Sequence, residues 1–446
     1  MLTTLILALI VGIVSLLVMI LYLRIPAFIA LLISAITTGL LAGLSSVEMM
    51  KTVQNGMGGT LGFVATIVGL GAMFGAILEK SGGAQAISKT LINKMGVDRA
   101  PTALMLSGFV IAIPVFFDVA FIILIPVIYS LQRQTGKSLL LYAIPLLAGL
   151  AATHSFIPPT PGPVAVADII GVDLGSVILI GLIAGIPTCI VSGIMFGKYI
   201  AGKIHIDAPQ LEDGSREDAV MELPSFRSIF LIILLPILLI LLKTCSDSGL
   251  ISAGGGFKSA IDLLGHPFVA LILANIVAWY ILGIGRGISK DDLFDVTMKS
   301  MAPAGTIILL TGAGGVLKQT LVDTNIGAII AEGLTDMGMP ILIFAFIAAV
   351  LVRVLQGSAT VAMITSAGLV SPLLVGTDFS NWRLALIVIA IASGSSILSH
   401  VNDSGFWLVS QYLGMTEKQT FRSWTAMTTV LALSGLVMVL LLSIFI

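Results

Sequence analysis

Of the 446 residues, 57% are hydrophobic and 10% are charged, and the formal net charge is −1. Soluble domains carry about a quarter charged residues, so this chain cannot cover a water-facing surface, and its charge balance offers no basic patch for nucleic acid. Cys189 and Cys245 are the only cysteines and lack CxxC spacing, which indicates neither a disulfide framework nor a zinc site.

The apolar run from Leu2 to Leu23 lacks the basic n-region and small-residue cleavage site of a secretory signal and reads as a retained first helix. Stretches long enough to cross about 30 Å of hydrocarbon recur to the end of the chain. Spans are predicted at about 2–23, 26–46, 58–79, 102–131, 139–153, 175–200, 228–243, 267–285, 300–322, 338–356, 359–375, 383–399 and 424–446. The longest polar stretch, Lys203 to Arg227, carries Asp207, Glu212, Asp213, Glu217, Asp218 and Glu222 against Lys203, Arg216 and Arg227. It reads as a solvated linker (203–227) between a first membrane half (1–202) and a second (228–446).

The halves echo one another in hydropathy and in polar breaks, with few identities. The first runs through Gly58–Glu79, an amphipathic connector Lys80–Arg99, a span broken at Pro114–Asp118, and a broken hairpin opened by Thr153-His154-Ser155 before Pro158–Pro163. The second runs through Pro303–Val322, Asp323–Asp336, a break at Arg353–Ser358, and Ser399-His400 before Val401–Gly405. Matching interruptions in two halves point to a transporter built from internal repeats, with its site at the repeat interface.

Proline cannot continue a helix, so the cluster at Pro158, Pro159, Pro161 and Pro163 requires irregular backbone. At membrane depth such backbone is tolerated only where it lines a cavity or is packed in protein; the alternative is a surface loop. Thr160-Pro161 reads as an N-cap followed by proline at the first helical position, a start whose amides favour an anion. In the second half, His400 and Asp403 interrupt apolar sequence, where an ionisable side chain costs roughly 2.5–3.5 kcal/mol and is expected to be paired, hydrated or functional. The alternative is a water-exposed loop in which Asn402 and Asp403 cap a helix. Asp118 stands between Phe117 and Val119, with no polar neighbour. Arg353, flanked by Val352 and Val354, is taken as its opposite number, and its planar donor fork suits a carboxylate. It binds either a substrate carboxylate or Asp118. Ser358 and Thr360 offer donor and acceptor hydroxyls to a polyol. The glycine clusters Gly56–Gly59 and Gly312–Gly315 read as packing and hinge positions. Enzyme motifs fail: Leu131 stands where a P-loop ending in Gly136-Lys137-Ser138 requires glycine, Leu317 breaks the GxGxxG begun at Gly312, and there is no HExxH.

Taken together, Gly58–Gly62, Gly69–Met73, Phe116–Val119, His154–Pro163, Gly357–Ala362 and Ser399–Trp407 resemble the gluconate permease (GntP) family of gluconate:H⁺ symporters over nearly the whole chain. The resemblance implies an all-α polytopic inner-membrane protein of about 11–13 embedded helices in two repeats, expected to be inverted, with broken helices and re-entrant hairpins like those of the ion-transporter superfamily, some on a homodimeric scaffold. It implies transport of gluconate or a related aldonate or ketoaldonate such as fructuronate, or in some branches D-serine, without cofactor, a proton being the coupling ion. Substrate contacts are expected from Arg353, Ser358, Thr360, Thr160 and Asn402, and proton coupling from Asp118, His154, His400 and Asp403. Two departures bear on the site: Thr160 stands where many gluconate carriers have histidine, and Asp118 where glutamate is common. An uncoupled facilitator is the competing class, and an intramembrane enzyme lacks a nucleophile–base pair.

Overall fold

The computed structural model describes residues 2–209, 223–247, 255–326, 339–400 and 403–446. Among these the chain is helical throughout, with no strand. In chain order the helices are α1 (Leu2–Leu21), α2 (Ala27–Leu41), α3 (Ser46–Lys80), α4 (Gly83–Met95), α5 (Ala100–Ile111), α6 (Phe117–Thr135), α7 (Leu140–Phe156), α8 (Pro161–Ile170), α9 (Leu174–Cys189) and α10 (Phe196–Ala201). Further along the chain come α11 (Phe226–Asp247), α12 (Gly255–Leu264), α13 (Pro267–Ala278), α14 (Lys290–Asp323), α15 (Ile341–Gln356), α16 (Ala359–Val370), α17 (Asn381–Ser395), α18 (Ser404–Tyr412), α19 (Glu417–Thr420) and α20 (Ala426–Leu442). Eight helical segments among the described residues are long and apolar enough to cross a membrane, which makes this a multi-pass membrane protein.

Two long helices, α3 and α14, run antiparallel. Thr52 donates to Asp323 Oδ2 at 2.6 Å near the start of one and the end of the other, and Gly56 meets Gly315 further along. A Cβ at Gly56 would lie 2.7 Å from the Gly315 carbonyl, and one at Gly315 would lie 2.5 Å from that of Gly56. Both glycine clusters therefore contribute a backbone-to-backbone contact of the kind that drives helix association in lipid. The predicted span at 58–79 begins earlier, because Ser45 and Glu48 close a capping box that starts the helix at Ser46.

Which face each break approaches follows from the ends of the helices around it. Residues 204–209, the described start of the stretch read as a linker, lie by the start of α7, where Leu139 donates to Ile206 O at 2.8 Å, and by the end of α6, where Gln132 reaches Asp207 at 3.0 Å; this side is termed the linker face. Lys94 of α4 sits 5.5 Å over the Phe226 ring at the start of α11. From there the 22 residues of α11 rise about 33 Å, to where Thr244 donates to Asp173, the N-cap of α9, at 3.0 Å. The pair α7–α8 therefore crosses from the linker face to the far face. The pair α5–α6 starts and ends on the linker face and is a hairpin. The second half reverses both directions: Ser371, just past α16, donates to Ile169 O at 2.8 Å on the far face, and Arg383 in α17 reaches Ile446 O at 3.3 Å. Beyond α18, Gly414 approaches Pro209 of the linker. Thus α15–α16 is a hairpin from the far face, and α17–α18 is a broken crossing toward the linker face.

The expected ingredients, broken helices and re-entrant hairpins, are present, with two assignments exchanged. The sequence placed the first hairpin at Pro158–Pro163 and a broken span at 102–131; the hairpin is instead α5–α6 and the broken crossing α7–α8. Breaker residues show where a helix stops, whereas reversal is decided by packing. At 12 residues, α5 rises only about 18 Å and lies alongside α7, with Gly108 against Leu146 and Gly149 against Met105.

Candidate functional site

Three of the interruptions, together with the end of α7 just before the fourth, converge in the interior around a cavity of ≈ 650 Å³, well within the range for small-molecule sites. Phe116, Phe117, Asp118 and Val119 come from the first hairpin tip, and Arg353, Gly357, Ser358, Ala359 and Thr360 from the second. His154 and Ser155 come from the end of α7, Ser396 and Asp403 from the break before α18, and Trp424, Thr428 and Leu431 from the last crossing. Sequence reasoning identified Asp118, His154, Arg353, Ser358, Thr360 and Asp403, and the fold brings all six together.

Arg353 is 3% exposed and engaged on three sides. Its Nε donates to Ile397 O at 3.2 Å, one terminal nitrogen donates to Gly357 O, and the other meets Asp403 Oδ2 at 2.5 Å. Of the two readings offered for Arg353, a substrate carboxylate or an ion pair with Asp118, the second is corrected: the ion-pair partner is Asp403. The two halves explain the correction: Asp118 is the second residue of α6, beyond its break, and its positional counterpart is Thr360, second in α16. Arg353 lies before its break, in the last turn of α15. Removing one partner of such a buried pair typically costs about 3–5 kcal/mol, because the survivor is left uncompensated.

Asp403 is a junction. Its Oδ2 also accepts from Ser399 Oγ, and its Oδ1 accepts from Gly405 N at 3.2 Å, capping α18. Asp118 opens on the same cavity as Asp403. Ser396 Oγ donates to Ser155 Oγ at 3.1 Å, joining equivalent points where α7 and α17 end. His154 Nδ1 is buried without a hydrogen-bond partner among the described residues. His400 differs: its Nε2 lies 3.1 Å from Val354 O, so the ring braces the second hairpin and is not part of the cavity lining. Asn402 lies outside the described residues.

Thr160 is the N-cap of α8 by position but makes no side-chain cap; its hydroxyl donates to Ile157 O at 2.5 Å. The reason is in the sequence. Pro161 and Pro163 occupy the first and third helical positions and have no N–H, leaving Gly162 as the first free donor. The expected anion site at this helix start is therefore weak, and Thr160 lies with His154 on a separate void of ≈ 10 Å³, outside the main cavity. The start of α6 suits an anion better. Phe116 provides no side-chain cap, and the first residues of α6 line the cavity, presenting amides that attract negative charge. At α16 and α18 the equivalent amides are partly taken by Ser358 and Asp403.

Ser155, Ser396, Trp424 and Thr428 were missed, since a hydroxyl or an indole beside apolar helix sequence reads as packing, and Ser399 was noted only as the opening of its break. Aligning the two halves helix by helix would have marked Ser155 and Ser396 as counterparts.

The GntP family permease model matches residues 4–445. A gluconate permease of Pseudomonas aeruginosa is 41% identical over 97% of this chain and 96% of its own length. A low-affinity gluconate transporter of Escherichia coli K12 is likewise 41% identical over 97% and 96%, and an L-idonate transporter of the same organism is 35% identical over 96% and 97%. Among solved structures, the YdaH transporter of Alcanivorax borkumensis aligns with TM-score 0.63 at 14% identity over 94% of this chain and 98% of that one. MtrF of Neisseria gonorrhoeae aligns with TM-score 0.66 at 14% identity over 92% and 93%. These two share the fold.

Proposed function

Because the chain belongs to the GntP family of permeases, and so is a transporter rather than an enzyme, we propose that it carries gluconate or a closely related sugar acid by proton-coupled symport. The observation that carries the reading is the Arg353–Asp403 pair in the cavity wall. One guanidinium faces two rival anions, its own aspartate and the carboxylate of the solute. Protonating Asp403 frees Arg353 for the solute, and a bound solute carboxylate in turn favours the protonated aspartate. Such reciprocity is what linkage requires of coupled binding. With Asp118 and Asp403 both ionised the site would gather three negative charges around Arg353 once a sugar acid entered. Proton uptake by the aspartates balances that charge before the loaded site crosses.

In this reading the solute carboxylate meets Arg353 and the amides at the start of α6. Ser358, Thr360, Ser155, Ser396 and Thr428 bond its hydroxyls, which suits a polyol, and His154 assists proton movement. Gluconate and L-idonate are the solutes named for relatives at 41% and 35% identity, which supports a six-carbon aldonate. The test is uptake of labelled gluconate into proteoliposomes with and without an imposed pH gradient. Concentrative uptake driven by the gradient is expected. Uptake that only equilibrates would overturn coupling, and no uptake would overturn gluconate.

A further inference from the structure

Asp403 is held from two sides: Arg353 binds it from the second hairpin, and the last crossing binds it through Ser399. Trp424 Nε1 donates to Ser399 Oγ at 2.6 Å, and that oxygen's own hydrogen goes to Asp403 Oδ2. Ser399 is fixed in turn by its backbone. Thr425 Oγ1 donates to Ser399 O at 2.5 Å, and Ser399 N donates to Thr428 Oγ1 at 3.2 Å. All three partners lie at or just beyond a π-helical turn, Phe421–Thr425. Such turns shift the register of a helix and recur at functional sites. Here the shifted turn places the indole between the Asp403 junction and the first hairpin tip, its ring 5.6 Å from that of Phe117.

We propose that Trp424 and Ser399 form a positioning relay that sets how strongly Asp403 competes with the solute for Arg353. The indole N–H occupies a lone pair of the Ser399 oxygen and orients its O–H toward the carboxylate. A hydroxyl so oriented stabilises ionised Asp403 selectively, because a hydrogen bond to a charged acceptor is stronger than one to its neutral form. Trp424 thereby acts on coupling through two intervening atoms, Ser399 Oγ and its hydrogen, without needing to touch the solute. The relay rests on the symport reading above. The other titratable or charged groups facing Asp403 are Asp118 from α6, His154 from α7 and Arg353 from α15, with His400 in the same break.

The test measures gluconate binding to purified full-length carrier across a pH series for the wild type, W424F, S399A, S399T and D403N, and for W424F combined with D403N. Phenylalanine keeps the ring against Phe117 and removes only the N–H. The expected result is a shift of the pH midpoint of binding to higher pH, by about one pH unit for S399A, the scale of one lost charge-assisted hydrogen bond, and by a smaller step for W424F, which loses only the bond that orients the hydroxyl. S399T retains the hydroxyl and should stay near the wild type. In the D403N background, W424F should change affinity by less than about twofold, since coupled residues lose their separate effects. A W424F effect equal at every pH, or equally large on D403N, would overturn the relay and leave Trp424 as wall. Wild-type binding that does not respond to pH would instead overturn the coupling reading itself, and the relay with it.

Discussion

Replacing Asp403 with asparagine separates the two roles of Arg353. Asparagine has nearly the same shape, and its carbonyl can still accept from the guanidinium and from Ser399, so the hairpin and the break stay joined. What disappears is the charge. The ionised guanidinium still donates to a neutral carbonyl but no longer faces an opposite charge, and within the spread of charge-assisted bonds, about 1.5–3 kcal/mol, this weakens the rival at Arg353 by about 1–2 kcal/mol. At a pH where Asp403 is ionised in the wild type, gluconate should therefore bind D403N roughly 5- to 30-fold more tightly, by the usual conversion of free energy to affinity. The pH dependence of binding should flatten, any remainder belonging to Asp118 and His154. Equilibrium binding with labelled gluconate reads the affinity, and proteoliposome uptake reads the coupling. D403N should exchange solute across the membrane without concentrating it. Weaker binding by D403N with an unchanged pH slope would show that Asp403 does not compete for Arg353.

Replacing Arg353 with lysine should reduce uptake by at least tenfold, because one ammonium cannot reproduce three N–H bonds sent in separate directions to Ile397 O, Gly357 O and Asp403; uptake kinetics check this. T160V should leave the KM for gluconate within about threefold, since the hydroxyl serves Ile157 O outside the main cavity, and the lost bond should appear as a stability loss of about 0.5–1.5 kcal/mol in thermal unfolding. G315V should lower the yield and melting temperature of folded protein, because its Cβ falls 2.5 Å from the Gly56 carbonyl of α3, an overlap that typically costs about 1–3 kcal/mol or more. D118N should preserve folding while altering the pH profile of uptake, since Asp118 faces the cavity without a salt bridge among the described residues.

Much of the site was legible because the bilayer makes polar residues conspicuous. Asp118 and Arg353 stand in apolar sequence where charge is expensive, and prolines and glycines mark each place where a helix must stop. Chain direction was not legible. The prolines at 158–163 and the residues at 112–116 look alike as breaks, yet one leads onward and the other back, because the turn depends on which neighbour each half-helix lies against. The partner of Arg353 was hidden for a related reason: carboxylates sit at more than one break, and only the folded order of hairpins and crossings decides which one meets it. Thr160 was misjudged by a rule applied one residue at a time. Threonine before proline is a good helix start in general, but a second proline two positions on removes the amide that a capping hydroxyl would bind.

The guanidinium of Arg353 also bears on how the protein is built. Its acceptors Ile397 O and Asp403 lie 44 and 50 residues downstream, so the second hairpin is synthesised and handed to the membrane before its counter-charge exists. At translation rates of about 5–20 residues per second the delay is on the order of 3–10 s. During that interval an arginine costing about 2.5–3.5 kcal/mol at membrane depth has only Gly357 O nearby in sequence. The hydrogen-bond partners that hold the hairpin at Arg353 are therefore complete only after α17 and the following break have emerged. The cation of this site is thus held by a segment that the chain makes well after the hairpin that carries it.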